Sequence, residues 1–286
     1  MANNTQNPLS GFYRAPKLYT RIPTQGKFYD DGVIDWPAET GELAIYPMTS
    51  KDEMIMKNPD ALLNGEAVAQ VIASCVPAVK QPRKLISNDI DTLLIAIQGA
   101  TAGDEIELSE TCPNCSESIN SVASIESALE SMTVLKESYR FDTPSGLNIE
   151  IRPYTYESTV KAGIANFQST RSLQSLQGIE DELEQLKAFN TNFIQIAALN
   201  FDLMVDSVAS IKGLDDTGDE FVVTDRAHIR EFLENCESTI GKTIEKSIKE
   251  VNELGVNKII QLSCEACGHQ FEKEIGFDPV NFFTAS

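Results

Sequence analysis

Two stretches hold residues whose type and spacing could do chemistry: ETCPNCSESIN at 110–120 and QLSCEACGHQF at 261–271. Each contains a Cys-x-x-Cys pair, Cys112 with Cys115 and Cys264 with Cys267. A turn of this kind presents two thiolates on one side, and two such turns fill the tetrahedral shell of a zinc ion. Pro113 inside the first turn and Gly268 just after the second suit that geometry, glycine permitting a positive φ at no steric cost. Rival chemistries fit less well. A thioredoxin-type site needs one pair in a βαβ setting, and c-type haem needs His directly after the second cysteine, where Gly268 intervenes before His269. An iron–sulfur cluster also takes four cysteines but has no further support in the chain. Four thiolates close the coordination sphere, so the expected ion is one structural Zn2+ per chain, with no position open for substrate.

Little else in the sequence suggests a reaction. Cys75 and Cys236 stand singly in helical, partly apolar settings and are expected as packed thiols. There are two histidines, His228 and His269, and no G-x-S-x-G, P-loop, H-E-x-x-H or G-x-G-x-x-G motif. No catalytic or cofactor-binding residue is therefore expected beyond the four cysteines. The formal net charge of −20 disfavours nucleic acid and anionic lipid as partners. Glu107, Glu110, Glu117, Glu265, Glu272 and Glu274 border the pairs and would repel phosphate. The first residues lack the uninterrupted apolar stretch of a secretory signal, and no apolar run is long enough to cross a bilayer. Synthesis in the cytosol is expected.

Several elements must bring the two pairs together. DEIELSETCPNCSESINSVAS and NKIIQLSCEACGHQFEKEIGF each alternate apolar and polar residues around a cysteine turn, which predicts strand, turn and return strand. The fold class expected is α+β, with a small β-rich, zinc-ribbon-like module of four cysteines split between 104–123 and 256–283. Residues 124–255 form a long, mainly helical insertion, and the run from 155 to 212 reads as helix. Within it Leu183, Leu186, Phe189, Phe193, Ile196 and Leu199 keep helical spacing, either packing inside their own domain or forming a bundle seam. Residues 41–103 form a helical N-terminal unit. In it Ser50 and Glu53 match a capping box, and Ser87 or Asn88 suits the N-cap of a helix stopped by Gly103. Residues 1–40 read as an extended basic arm, with Arg14, Lys17, Arg21 and Lys27 and no acid before Asp30. Such an arm would gain order from an acidic neighbour or a second copy, or stay a solvated, flexible tail.

The stretches IPTQGKFY, YPMTSKDEMIMKNPDALLNGEAVAQVIASCVP, DIDTLLIAIQGATAGDEIELSETCPNCSE and LSCEACGHQFEKEIGFDPVNFF resemble a family of baseplate-hub and hub-assembly proteins of T-even-type contractile-tailed bacteriophages. The resemblance implies a non-enzymatic tail protein of the virion baseplate, made and assembled in the host cytoplasm. It is either built into the hub or used as a transient tail or tape-measure assembly chaperone. Partners would be other hub, tail-tube or tape-measure proteins, with self-association possible and no nucleic acid or membrane involved. A zinc-ribbon regulator of nucleic-acid machinery is the alternative from another class. Phe277, Phe282 and Phe283, just past the second knuckle, are expected either as contact residues for a partner or buried against the module's own sheet.

Overall fold

The computed structural model describes residues 7–37, 40–176 and 182–274. An N-terminal unit is built from β1 (Leu18–Thr20), β2 (Leu43–Ile45), α1 (Ser50–Met56), α2 (Pro59–Leu63), α3 (Glu66–Cys75) and α4 (Ser87–Ala102). The buried α4 is its centre: Ile90, Leu93, Leu94, Ile97 and Ala100 join Val68, Val71 and Ile72 of α3 in one apolar core. Gly103, at φ 107°, ends α4 as expected. The capping box at α1 is one residue earlier than read, with Thr49 as N-cap and Asp52 returning the bond.

The proline-rich N-terminal segment departs from the expected free arm. Residues 7–37 lie on the body of the N-terminal unit: β1 pairs antiparallel with β2, and Ile22, Val33 and Ile34 are buried in its core. Three of its four cations are spent inside the chain. Arg14 donates to the Pro47 and Ser74 carbonyls and faces the Asp52 carboxylate at 3.3 Å. Arg21 lies 3.6 Å from Glu42, and Lys27 donates to the Leu135 carbonyl. Pro16 and Pro23 break any helical or strand period, so apolar residues that enter the core singly leave no pattern to read.

Next come two hairpin strands, β3 (Glu105–Thr111) and β4 (Ser118–Ser124), then α5 (Ile125–Glu130). The central part of the chain then forms β5 (Tyr139–Asp142), β6 (Asn148–Ile151), α6 (Tyr156–Leu176), α7 (Glu182–Ser207), β7 (Val208–Leu214), β8 (Glu220–Val223), α8 (Arg226–Asn235) and α9 (Ser238–Asn252). Helix dominates here by length, but β5-β6-β7-β8 form one antiparallel sheet. That sheet carries a second core with α8 and α9, around Ile149, Ile151, Val208, Ile211, Ile229 and Ile244. The helical reading up to 212 therefore stops short, since α7 ends at Ser207. Val205, Val208 and Ile211 recur every three residues and mimic a helix face, yet Val208 and Ile211 are β-branched and sit in a strand paired on both sides. β9 (Ile259–Ser263) and β10 (Gln270–Glu274) close the described chain as a second hairpin. The mixture of helix and antiparallel sheet agrees with the α+β class. Phe277, Phe282 and Phe283 lie outside the described residues.

The start of α4 joins these parts. Ser87 and Asn88 do not cap their own helix, whose N-cap is Ile86. The Ser87 backbone N–H donates to the Tyr154 carbonyl, and the Asn88 amide donates to the carbonyls of Val251, Asn252 and Leu254 at the end of α9. Next in line, Asp89 is fully buried and accepts from the Thr24 backbone N–H, the Thr24 hydroxyl and the Tyr29 hydroxyl. Three consecutive residues thus tie the central domain and the N-terminal segment to one helix end. The carbonyls left over at the end of α9 are satisfied from another domain instead of by water.

Candidate metal centre

Both cysteine turns rest on the ends of short strands. In the first, the Cys112 N–H donates to the Glu117 carbonyl and the Ser116 N–H to the Cys112 carbonyl, each 2.9 Å. In the second, the Cys264 N–H donates to the His269 carbonyl at 2.9 Å and the Gly268 N–H to the Cys264 carbonyl at 2.8 Å. The residue after the second cysteine is left-handed in both, Ser116 at φ 61° and Gly268 at φ 69°. Glycine takes that conformation without strain and serine does not. Ser116→Gly is therefore expected to stabilise the first turn by up to about 1 kcal/mol, seen as a higher urea midpoint of the metal-loaded protein. An unchanged or lower midpoint would mean that the Ser116 side chain matters for another reason.

The turns meet. The Sγ atoms of Cys112, Cys115, Cys264 and Cys267 all lie within 4.8 Å of one another. Across the two hairpins, Cys112 and Cys267 are 3.7 Å apart and Cys115 and Cys264 3.6 Å. A tetrahedron with metal–sulfur bonds near 2.3 Å has sulfur–sulfur edges of about 3.8 Å, so the spacing fits a four-thiolate ion. Cys112 and Cys264 are buried and Cys115 and Cys267 face solvent. The Asn114 amide points at Cys267 and, with the His269 backbone N–H, pulls that thiol down to about 6. Against the pull of the Glu117 backbone, the other sulfurs push Cys115 up to about 12. Four thiols at this spacing cannot all ionise on their own; a cation is what lets them.

Other contacts hold the hairpins in place. Lys273 on β10 pairs with Glu110 on β3 at 2.9 Å, and Phe271 packs onto a small cluster of Cys112, Ile119 and Cys264. His269 stacks on Phe271, with ring centroids 6.0 Å apart, and is not among the converging ligands. Lys258, just before β9, forms an ion pair with Asp91 on α4. Cys75 is buried beside Arg14, and Cys236 is half-buried. His228 is exposed on α8 beside Asp225. Among the described residues the four knuckle cysteines are the one group of three or more metal-type side chains that converges. The sequence reading missed the polar junction at Ser87, Asn88 and Asp89. Its signal was present as three polar residues in a row opening a helix that is otherwise apolar.

Among the described residues the chain is thus an α+β protein with two main cores, whose sequence-distant hairpins converge on a four-cysteine cluster able to hold a metal ion. Residues 29–284 match the model of a family described as T4 bacteriophage base plate protein, and the chain belongs to that family. No curated protein and no solved structure matches the chain. Membership makes it a phage tail baseplate protein, whose contacts are with other tail and baseplate proteins. Among the described residues no helix is long and apolar enough to cross a membrane.

Proposed function

We propose that the chain is a non-enzymatic structural component of the baseplate hub, stapled by one zinc ion on Cys112, Cys115, Cys264 and Cys267. The observation that supports this most is the closed set of four sulfurs within 4.8 Å, which leaves a tetrahedral ion no site for water or substrate. In that role the ion gives rigidity: it joins two ribbon-like hairpins at the two ends of the central domain. The chain's own residues supply the surfaces. A structural family agrees with the non-enzymatic reading.

The runner-up is a transient chaperone of tail or tape-measure assembly, made in the host cytoplasm and absent from the finished particle. Mass spectrometry of purified particles separates the two. Presence in a fixed small ratio to other baseplate proteins is expected, and absence from particles whose assembly still requires the protein would favour the chaperone. A zinc-ribbon regulator of nucleic-acid machinery is disfavoured by the acidic residues around both turns, since phosphate binding needs cations there.

A further inference from the structure

Helix α7 is amphipathic in the wrong sense for a lone hairpin. Its side toward α6 is polar: Asn192 is buried and donates to the Ser172 hydroxyl at 3.1 Å. Ser169 of α6 is buried with its hydroxyl unpartnered among the described residues. Its outer side carries large apolar residues in solvent, Leu186 at 57%, Phe189 at 54%, Phe193 at 65% and Ile194 at 66% exposure. Around Asn192 two polar side chains are inside while four large apolar ones stand in solvent, at a cost in hydration that something must recover.

We infer that this outer face of α7 is the seam through which two copies of the chain associate, their α6–α7 hairpins forming a four-helix bundle. Three observations select a second copy as the occupant. Leu186, Phe189, Phe193, Ile196 and Asn200 follow one another at alternating spacings of three and four, the pattern of a helix that packs along another at a shallow angle. Asn200, exposed in the single chain, falls in that row, where a facing asparagine of the other copy satisfies it; one asparagine in such a row favours a two-stranded seam. The third observation is electrostatic. The chain has a net charge of −20, yet α7 has no charged residue from Ala188 to Phe201 and α6 none from Ala162 to Thr170. Two equally acidic molecules meet with least repulsion over such a face, whereas a basic partner would find nothing there to pair with. Leu186, Phe189 and Phe193 offer about 350 Å2 per copy, and with Ile196, Asn200 and the flanking residues a symmetric contact of both copies reaches roughly the 1,000 Å2 that a specific interface needs.

The test is analytical ultracentrifugation of the full, metal-loaded chain at up to about 100 µM, with Phe189→Glu/Phe193→Glu as the variant. The wild type should sediment as a dimer, and the variant as a monomer whose dissociation constant is raised roughly 100-fold or more, with metal content and thermal unfolding of the chain preserved. Should the glutamates unfold the hairpin, Leu186→Ala/Phe193→Ala keeps helix propensity and must still weaken the dimer. Asn200→Leu should remove the two-copy restriction and populate larger species. A wild type that stays monomeric over the whole range overturns the inference. So does a dimer that the α7 variants leave unchanged, because that contact would lie on another face. Neither outcome touches the baseplate or metal reading, which particle composition and metal analysis decide separately.

Discussion

Cys264→Ser should bring the metal content from one ion per chain to near zero and melt both cysteine hairpins while the rest of the molecule stays folded. Among the described residues the apolar support next to the cysteine turns is slight, a small cluster of Cys112, Ile119, Cys264 and Phe271. Two-stranded hairpins are marginal without such support. Structural zinc supplies apparent binding energies of about 10–16 kcal/mol, far more than that cluster. The loss should remain local, because the Lys258–Asp91 pair and the Asn88 amide still hold the segment before β9. Hydrogen exchange should therefore speed up over residues 105–124 and 259–274 and stay slow in α4. Cys75→Ser, outside the cluster, should leave the metal in place. Native protein purified without chelator and found free of zinc would refute the zinc assignment outright.

An effect of similar size is expected at Asp89. Asp89→Ala leaves the Thr24 N–H, the Thr24 hydroxyl and the Tyr29 hydroxyl buried without their acceptor, at a cost of about 3–5 kcal/mol. The same carboxylate sets a pH dependence. Burial without a cation pushes it up to about 6, while the bonds from Thr24 and Tyr29 pull it back. A folded value above the ~3.9 of an unfolded aspartate means that its contribution is complete in acid below the unfolded value. That contribution is lost as the pH rises through 6. Asp89→Asn keeps the shape and cannot titrate. The wild type's advantage over that variant should then shrink by about 1 kcal/mol between pH 5 and pH 7.5. Urea unfolding of both proteins at several pH values measures it, and an advantage that stays flat or grows with pH would show that Asp89 is ionised throughout.

The four cysteines could be read from the sequence because ligand spacing is itself the chemistry, and the flanking strands because DEIELSET alternates with a period of two. Where one local pattern serves two structures, the reading fails. Val205, Val208 and Ile211 have the spacing of a helix face and the β-branching of a strand, and only pairing with β6 and β8 decides between them. Ile22 and Val33 reach the core from a segment with no period at all, so its burial is invisible until α3 and α4 are in place. Asn88 looks like a cap for its own helix; that it caps α9 depends on a contact across more than half the chain. Periodicity likewise marks Leu186, Phe189 and Phe193 as one face of α7 without saying whether that face looks inward or out.

The wide separation of the ligands has a consequence for the making of the protein. Cys115 and Cys264 are 149 positions apart in sequence, so a nascent chain stopped anywhere in the central domain carries only one knuckle and can hold no ion tightly. Metal uptake becomes a record of translation past the second knuckle. A chain stopped within the central domain displays an unlatched hairpin and bare thiols, open to proteolysis, whereas a chain made through Cys267 carries both knuckles and can be latched shut.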